Sequence, residues 1–136
     1  MRKKKRKYAN VIMLLLILFV LFYVVLKDGS LKISAEELVN SYSSNINAAN
    51  KKFLGKEIDL SGRVKSFFQF EGEKSLLELK TVNDELKPYC ILTNKETEEK
   101  ASTLTTGTLI RVYGNCLGIK DYKFPNSIYI EAKRIK

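Results

Sequence analysis

"KKFLGKEIDLSGRV", Lys51 to Val64, holds the joint on which the fold turns. A basic, helix-like tail meets Gly55, and beyond it apolar and polar residues alternate strictly. Successive side chains of a strand point to opposite sides, so Ile58, Leu60, Gly62 and Val64 share one face and Asp59, Ser61, Arg63 and Lys65 the other. One face is expected to be buried and the other wet. A glycine in the left-handed conformation stops a helix, and lysines suit the negative end of its dipole. Lys51, Lys52 and Lys56 around Gly55 therefore mark a helix end.

Upstream of the joint, Leu38, Tyr42, Ile46, Ala49 and Phe53 recur at spacings of four, four, three and four. That spacing predicts one apolar stripe on one amphipathic helix. Ser34 followed by Glu37 forms a capping box at its start. An isolated helix of this length is marginal in water, so the stripe must pack on something.

Downstream, four more strands follow, separated by polar or Gly-containing turns. They run Ser75 to Thr81 with Leu77 and Leu79 inward, Tyr89 to Thr93 just after Pro88, Thr108 to Cys116, and Ser127 to Arg134 with Ile128 and Ile130 inward. The fourth buries Ile110, Val112, Gly114 and Cys116 and turns Arg111 and Tyr113 outward. "NKETEEKASTLT", Asn94 to Thr105, is helix-compatible and solvated. Five strands with a helical segment between the third and fourth predict a mainly β fold, a five-stranded OB-fold (Greek-key) barrel preceded by the amphipathic helix. Glycines inside the first and fourth strands suit tight barrel bends. A sandwich usually needs more strands.

The N-terminus has a different character. Arg2 to Lys7 is an unbroken basic run, and Val11 to Leu26 is uninterrupted by charge. Tyr8 to Leu26 approaches the roughly 20 residues that a helix needs to cross a bilayer core of about 30 Å. A cleaved signal peptide shares the basic start, but its apolar stretch is about 7 to 15 residues long, and "VVLKDGSLKIS" lacks a small-x-small cleavage site. The expected division is a cytoplasmic basic segment 1–7, a transmembrane signal anchor 8–26, a tether 27–33, and a helix-plus-barrel domain 34–136. Lys and Arg flanks stay cytoplasmic. Six precede the span and only Lys27 and Lys32 directly follow it, so the domain is expected on the extracytoplasmic side of the cell membrane.

The chain's net charge of +9 divides along the same line. Without the first six basic residues, 18 bases face 15 acids, a net +3 for the remainder. The basic total thus reflects mainly the membrane flank, where it can attract anionic lipid, and not a phosphate-binding surface. The absence of histidine removes the usual general base and the commonest metal ligand. Cys90 and Cys116 are either buried free thiols or a disulfide, which an oxidising compartment would permit. A bridge would contribute about 3 to 4 kcal/mol by the chain-entropy account. Two thiolates alone make a poor zinc site, so no metal or cofactor is expected.

The pattern "SAEELVNSYSSNINAANKKFLGKEIDLSGRV", then "YCIL", then "GTLIRVYGNCLG", resembles the tRNA_anti-like family of bacterial OB-fold proteins. Asn45, Ala49, Phe53, Gly55, Lys56, Gly62, Val64, Cys90, Gly107, Gly114, Cys116 and Gly118 carry the likeness, from Ser34 to the C-terminus. Ala132 departs from it, standing where members often have a further cysteine. The family name implies anticodon-type nucleic-acid binding, although a fold does not fix a function.

Two aromatic loops are the candidate ligand site. "SFFQFEGE" after the first strand holds Phe67, Phe68 and Phe70; "GIKDYKFPNS" before the last holds Tyr122 and Phe124 beside Lys120 and Lys123. In OB barrels these loops border the binding face. Such rings either stack on bases or sugars, at about 1 to 3 kcal/mol per base, or plug the barrel ends. Arg63, Lys65, Arg111 and Tyr113 either extend that face or form a solvated strand surface. The expectation is a non-catalytic, membrane-anchored binding module for a nucleic acid, a glycan or a protein. The alternative is a structural, protein-interacting component of a cell-envelope assembly.

Overall fold

A computed structural model describes residues 2–27 and 30–136. The chain forms two units, Met1–Ser30 and Leu31–Lys136. The first is helix α1, Arg2–Lys27. Its Arg6–Tyr23 stretch is long and apolar enough to cross a membrane, and apolar side chains such as Leu14 and Phe19 lie exposed along it. The basic run belongs to the same helix. Of the expected tether, residues 28 and 29 lie outside the described residues.

The second unit runs β1 (Leu31–Ser34), α2 (Ala35–Ser44), α3 (Ile46–Phe53), β2 (Glu57–Phe68), β3 (Leu76–Leu79), β4 (Lys87–Leu92), α4 (Lys95–Ser102), β5 (Leu109–Lys120) and β6 (Ser127–Ile135). Strands β2, β3, β4, β6 and β5 pair in that order, and β5 returns to β2. This closed five-stranded ring, with α4 between β4 and β5, is the OB-fold barrel. Closure requires β2 to serve two neighbours. Glu57 to Arg63 pair with β5, while Val64 to Phe68 pair with β3 after a register shift at Val64/Ser66. A bulge of this kind bends a strand sharply enough to change sheets.

The free edge of β2's first half is covered by β1, which pairs in parallel, Leu31 opposite Ile58 and Ile33 opposite Leu60. Leu31 to Ile33 are therefore a strand and not the expected tether. Four residues with one buried side chain show too little alternation to be recognised from sequence.

The expected single helix is broken. Asn45 takes an extended conformation, ending α2 and capping α3 through its Oδ1, which accepts from Ala48 N at 3.0 Å. Leu38, Tyr42, Ala49 and Phe53 remain buried, but the break turns Ile46 out to 52% exposure, and Val39 is buried as well. Ser34 caps α2 as expected, accepting from Glu37 N at 3.1 Å. Beyond α3, Gly55 has φ +73° and donates to Cys116 O at 2.8 Å, tying the helix end to β5. Tyr42, Phe53, Ile58, Leu60, Val112, Ile128 and Ile130 fill one continuous core. Full burial of such a large apolar side chain contributes about 1.5 to 3 kcal/mol.

Two further expectations change. Asp59, assigned to the wet face, is 2% exposed because Arg111 closes over it: Nε donates to Oδ1 at 3.1 Å and Nη2 to Oδ2. Cys90 and Cys116 are both free and buried, so the disulfide alternative is set aside. Both are register partners of Ile130, from opposite sides. Two strand spacings, about 10 Å, exceed the roughly 7 Å over which cysteine Cα atoms can be bridged.

Candidate ligand face

Leu76, Tyr89 and Tyr129 occupy outward positions on β3, β4 and β6, yet none exceeds 4% exposure. They form a second apolar cluster, separate from the barrel core, with Phe68, Phe70, Ile91, Leu117 and Phe124 packed against it. The two aromatic loops build its roof. Phe124 stacks on Tyr89 with ring centroids 4.7 Å apart, meets Phe68 at 5.1 Å and approaches Phe70 at 6.5 Å. Tyr89 in turn stacks on Tyr129 at 5.8 Å. Offset aromatic pairs in this range add about 0.5 to 1.5 kcal/mol beyond their burial.

Polar contacts hold the roof in place. The Tyr129 hydroxyl accepts from Phe124 N at 2.9 Å and donates to Phe124 O at 2.8 Å, so one phenol clamps the loop before its own strand. Asn126, at φ +54°, donates its N–H to Asp121 Oδ1 at 3.1 Å and closes the turn. Lys123 pairs with Glu73 and lies 4.9 Å from the centre of the Phe70 ring, joining the second loop to the first. Beneath them Glu78, 4% exposed, is held by Lys65 at 3.5 Å and Lys87 at 3.8 Å. Burial, with Glu78 alongside, pushes the Tyr89 phenol up to about 12.

Beside this roof lies an open groove of about 810 Å³. The first loop (Phe70, Gly72 to Lys74) forms one wall, and the end of β4 and the start of α4 (Ile91 to Lys95, Glu98) form the other, with Tyr122 and Glu131 completing it. Tyr122 is 48% exposed and meets Tyr129 edge-on at 5.6 Å. The groove thus offers ring surface, two ammonium groups and several carboxylates. Among the described residues, no three His, Cys, Asp or Glu converge as a metal site.

The expected site residues divide into three groups. Phe68, Phe70, Tyr122 and Phe124 come together on this face, and Lys65 reaches it through Glu78. Phe67 turns the other way, against the barrel core. Arg63, Arg111 and Tyr113 lie where the first half of β2 pairs with β5 and do not extend the aromatic face, whose foundation is on β3, β4 and β6. Tyr89, Tyr129 and Leu76 are its hidden foundation. Their sequence signal was large apolar residues at positions that alternation assigns to solvent.

The sequence matches the tRNA_anti-like family over residues 1–126. No curated protein matches it. Among solved structures, an aspartyl-tRNA synthetase from Leishmania major Friedlin aligns over 79% of this chain at 14% identity and TM-score 0.54. An asparaginyl-tRNA synthetase from Pyrococcus horikoshii aligns over 77% at 19% identity and TM-score 0.52. The matches cover 20% and 22% of those two chains, so this chain spans about a fifth of the synthetases. The OBody AM3L09, bound to hen egg-white lysozyme, aligns over 62% of this chain and 82% of its own at 12% identity and TM-score 0.51. Identities this low carry the fold alone.

Proposed function

The chain belongs to the tRNA_anti-like family, and from that premise we propose a non-catalytic binding module, held at the cell membrane by α1, with its barrel on the extracytoplasmic side. The module receives a flexible polymer in the groove beside the aromatic roof. A single-stranded nucleic acid is the first candidate, because the similar folds include tRNA synthetases, and a glycan is the second. The observation that carries this reading is the half-exposed Tyr122 ring beside Phe70 on a face whose foundation is already buried. The other rings are spent on packing, so the platform is rigid and loses little entropy when a base or sugar stacks on it. Lys74 and Lys95 on the groove walls supply charge for a phosphate or hydroxyl neighbour.

The anchor reading is supported by the length and apolarity of Arg6–Tyr23. Its orientation is supported by the imbalance of basic flanks.

The test is titration of the fragment 31–136, which has its own core, with labelled single-stranded DNA, RNA and cell-wall glycans at low and high salt. The expected result is binding to a single-stranded nucleic acid that weakens with salt and drops about tenfold in Tyr122→Ala, in line with one lost stacking contact. Failure of every polymer at low salt overturns this reading. It would favour the second one, a protein-interacting envelope component, which the mutual packing of Phe68, Phe70 and Phe124 supports and which a pull-down from membranes would test.

A further inference from the structure

Away from the aromatic loops, two register rows cross the outer face of four strands. Lys32, Asp59, Tyr113 and Arg134 stand in one row, and Ser34, Ser61, Arg111 and Lys136 in the next, with Arg63 and Leu109 beyond. Lys32, Arg63, Arg111, Arg134 and Lys136 are exposed. Asp59 is the one carboxylate in these rows, and it is buried and taken by Arg111. The adjoining row carries Glu57, held by Lys133 at 3.6 Å, and Glu131. The Arg134 guanidinium lies 4.5 Å and the Lys136 ammonium 5.7 Å from the centre of the Tyr113 ring. Cations already occupy that ring, so the face suits closely spaced anions and not stacked bases.

Leu109, at the border of the cationic rows, is 62% exposed. It provides an apolar side chain able to enter a headgroup layer.

We propose that the cationic face of β1, β2, β5 and β6 docks on an anionic phospholipid surface. The inference rests on the reading of α1 as a membrane anchor. Around the ring, β5 lies opposite the β3–β4 side, so docking would leave the groove wall formed by the end of β4, Ile91 to Lys95, directed away from the bilayer. The proposal gives one barrel two faces with separate tasks.

The experiment uses the full chain in nanodiscs of phosphatidylcholine, with or without phosphatidylglycerol. An environment-sensitive dye is placed at Leu109→Cys; the buried Cys90 and Cys116 stay unlabelled in the folded protein, as a wild-type control verifies. The expected result is a blue shift on adding phosphatidylglycerol that high salt reverses and that is lost with Arg134→Glu plus Lys136→Glu. A dye at Tyr122→Cys is expected not to shift. Lys32→Glu plus Lys136→Glu is the second variant, should the first fail to fold. Equal emission at Leu109 in both lipids, or a shift that survives charge reversal, overturns the proposal. So does a response to single-stranded DNA alone, which would assign the face to nucleic acid. A chain that never enters the nanodiscs sinks the anchor reading, and the docking with it, at the reconstitution step.

Discussion

Gly114 shows how one missing side chain permits closure of the barrel. A Cβ there would sit 2.1 Å from Glu131 O and 2.8 Å from Glu131 C, both backbone atoms that cannot swing aside. It lies where the β5–β6 register shifts, between Tyr113 and Gly114. Gly114→Ala is therefore expected to destabilise the domain by about 3 kcal/mol or more, through forced separation of the two strands. Gly55→Ala meets open space and pays only for its left-handed backbone, about 1 to 2 kcal/mol. Urea denaturation of both variants checks the order, and equal midpoints would refute the account of Gly114. Sequence alone assigned Gly55 to a helix end and Gly114 to a barrel bend, but only the paired strand reveals which one has backbone against it.

Among the elements, the α2–α3 break carries the sharpest test. Asn45 ends one helix and caps the next, and its side chain satisfies Ala48 N. Asn45→Ala is expected to cost about 1 kcal/mol, read as a lower urea midpoint with an unchanged slope. No change would mean that the cap contributes nothing. The stripe of Leu38, Tyr42, Ala49 and Phe53 was legible because helical periodicity survives the break nearly in phase. Ile46 was misplaced because periodicity does not report where a cap interrupts the chain. In the same way, β2 was recognised by its alternation but is longer than expected, so that Phe67 and Phe68 lie on the strand and face opposite sides. That single geometric fact sends Phe67 to the barrel core and Phe68 to the outer cluster.

At the scale of the whole molecule, the barrel holds Cys90 and Tyr89 in their neutral forms. Burial pushes the Cys90 thiol from 9.0 up to about 12, and burial followed by Glu78 pushes the Tyr89 phenol from 10.0 up to about 12. The unfolded chain gives up these protons first. Both contributions are therefore complete below about pH 9 and are lost as pH rises toward 12. Urea midpoints are expected to fall steadily over that window, and to fall less steeply in Cys90→Ala; a midpoint indifferent to alkali would contradict the burial argument. The sequence by itself determined an apolar N-terminal helix, a helix-strand joint at Gly55, the five barrel strands and the two aromatic loops, because those depend on local pattern and spacing. Only the tertiary structure decided the pairing of β1, the separation of Cys90 from Cys116 and the burial of Asp59. It also decided the gathering of Tyr89, Phe124 and Tyr129 into one outer cluster and of Lys32, Arg111 and Arg134 into adjacent register rows. Each of these is a contact between distant segments, and curvature and closure of the sheet, which no local alternation encodes, select which segments meet.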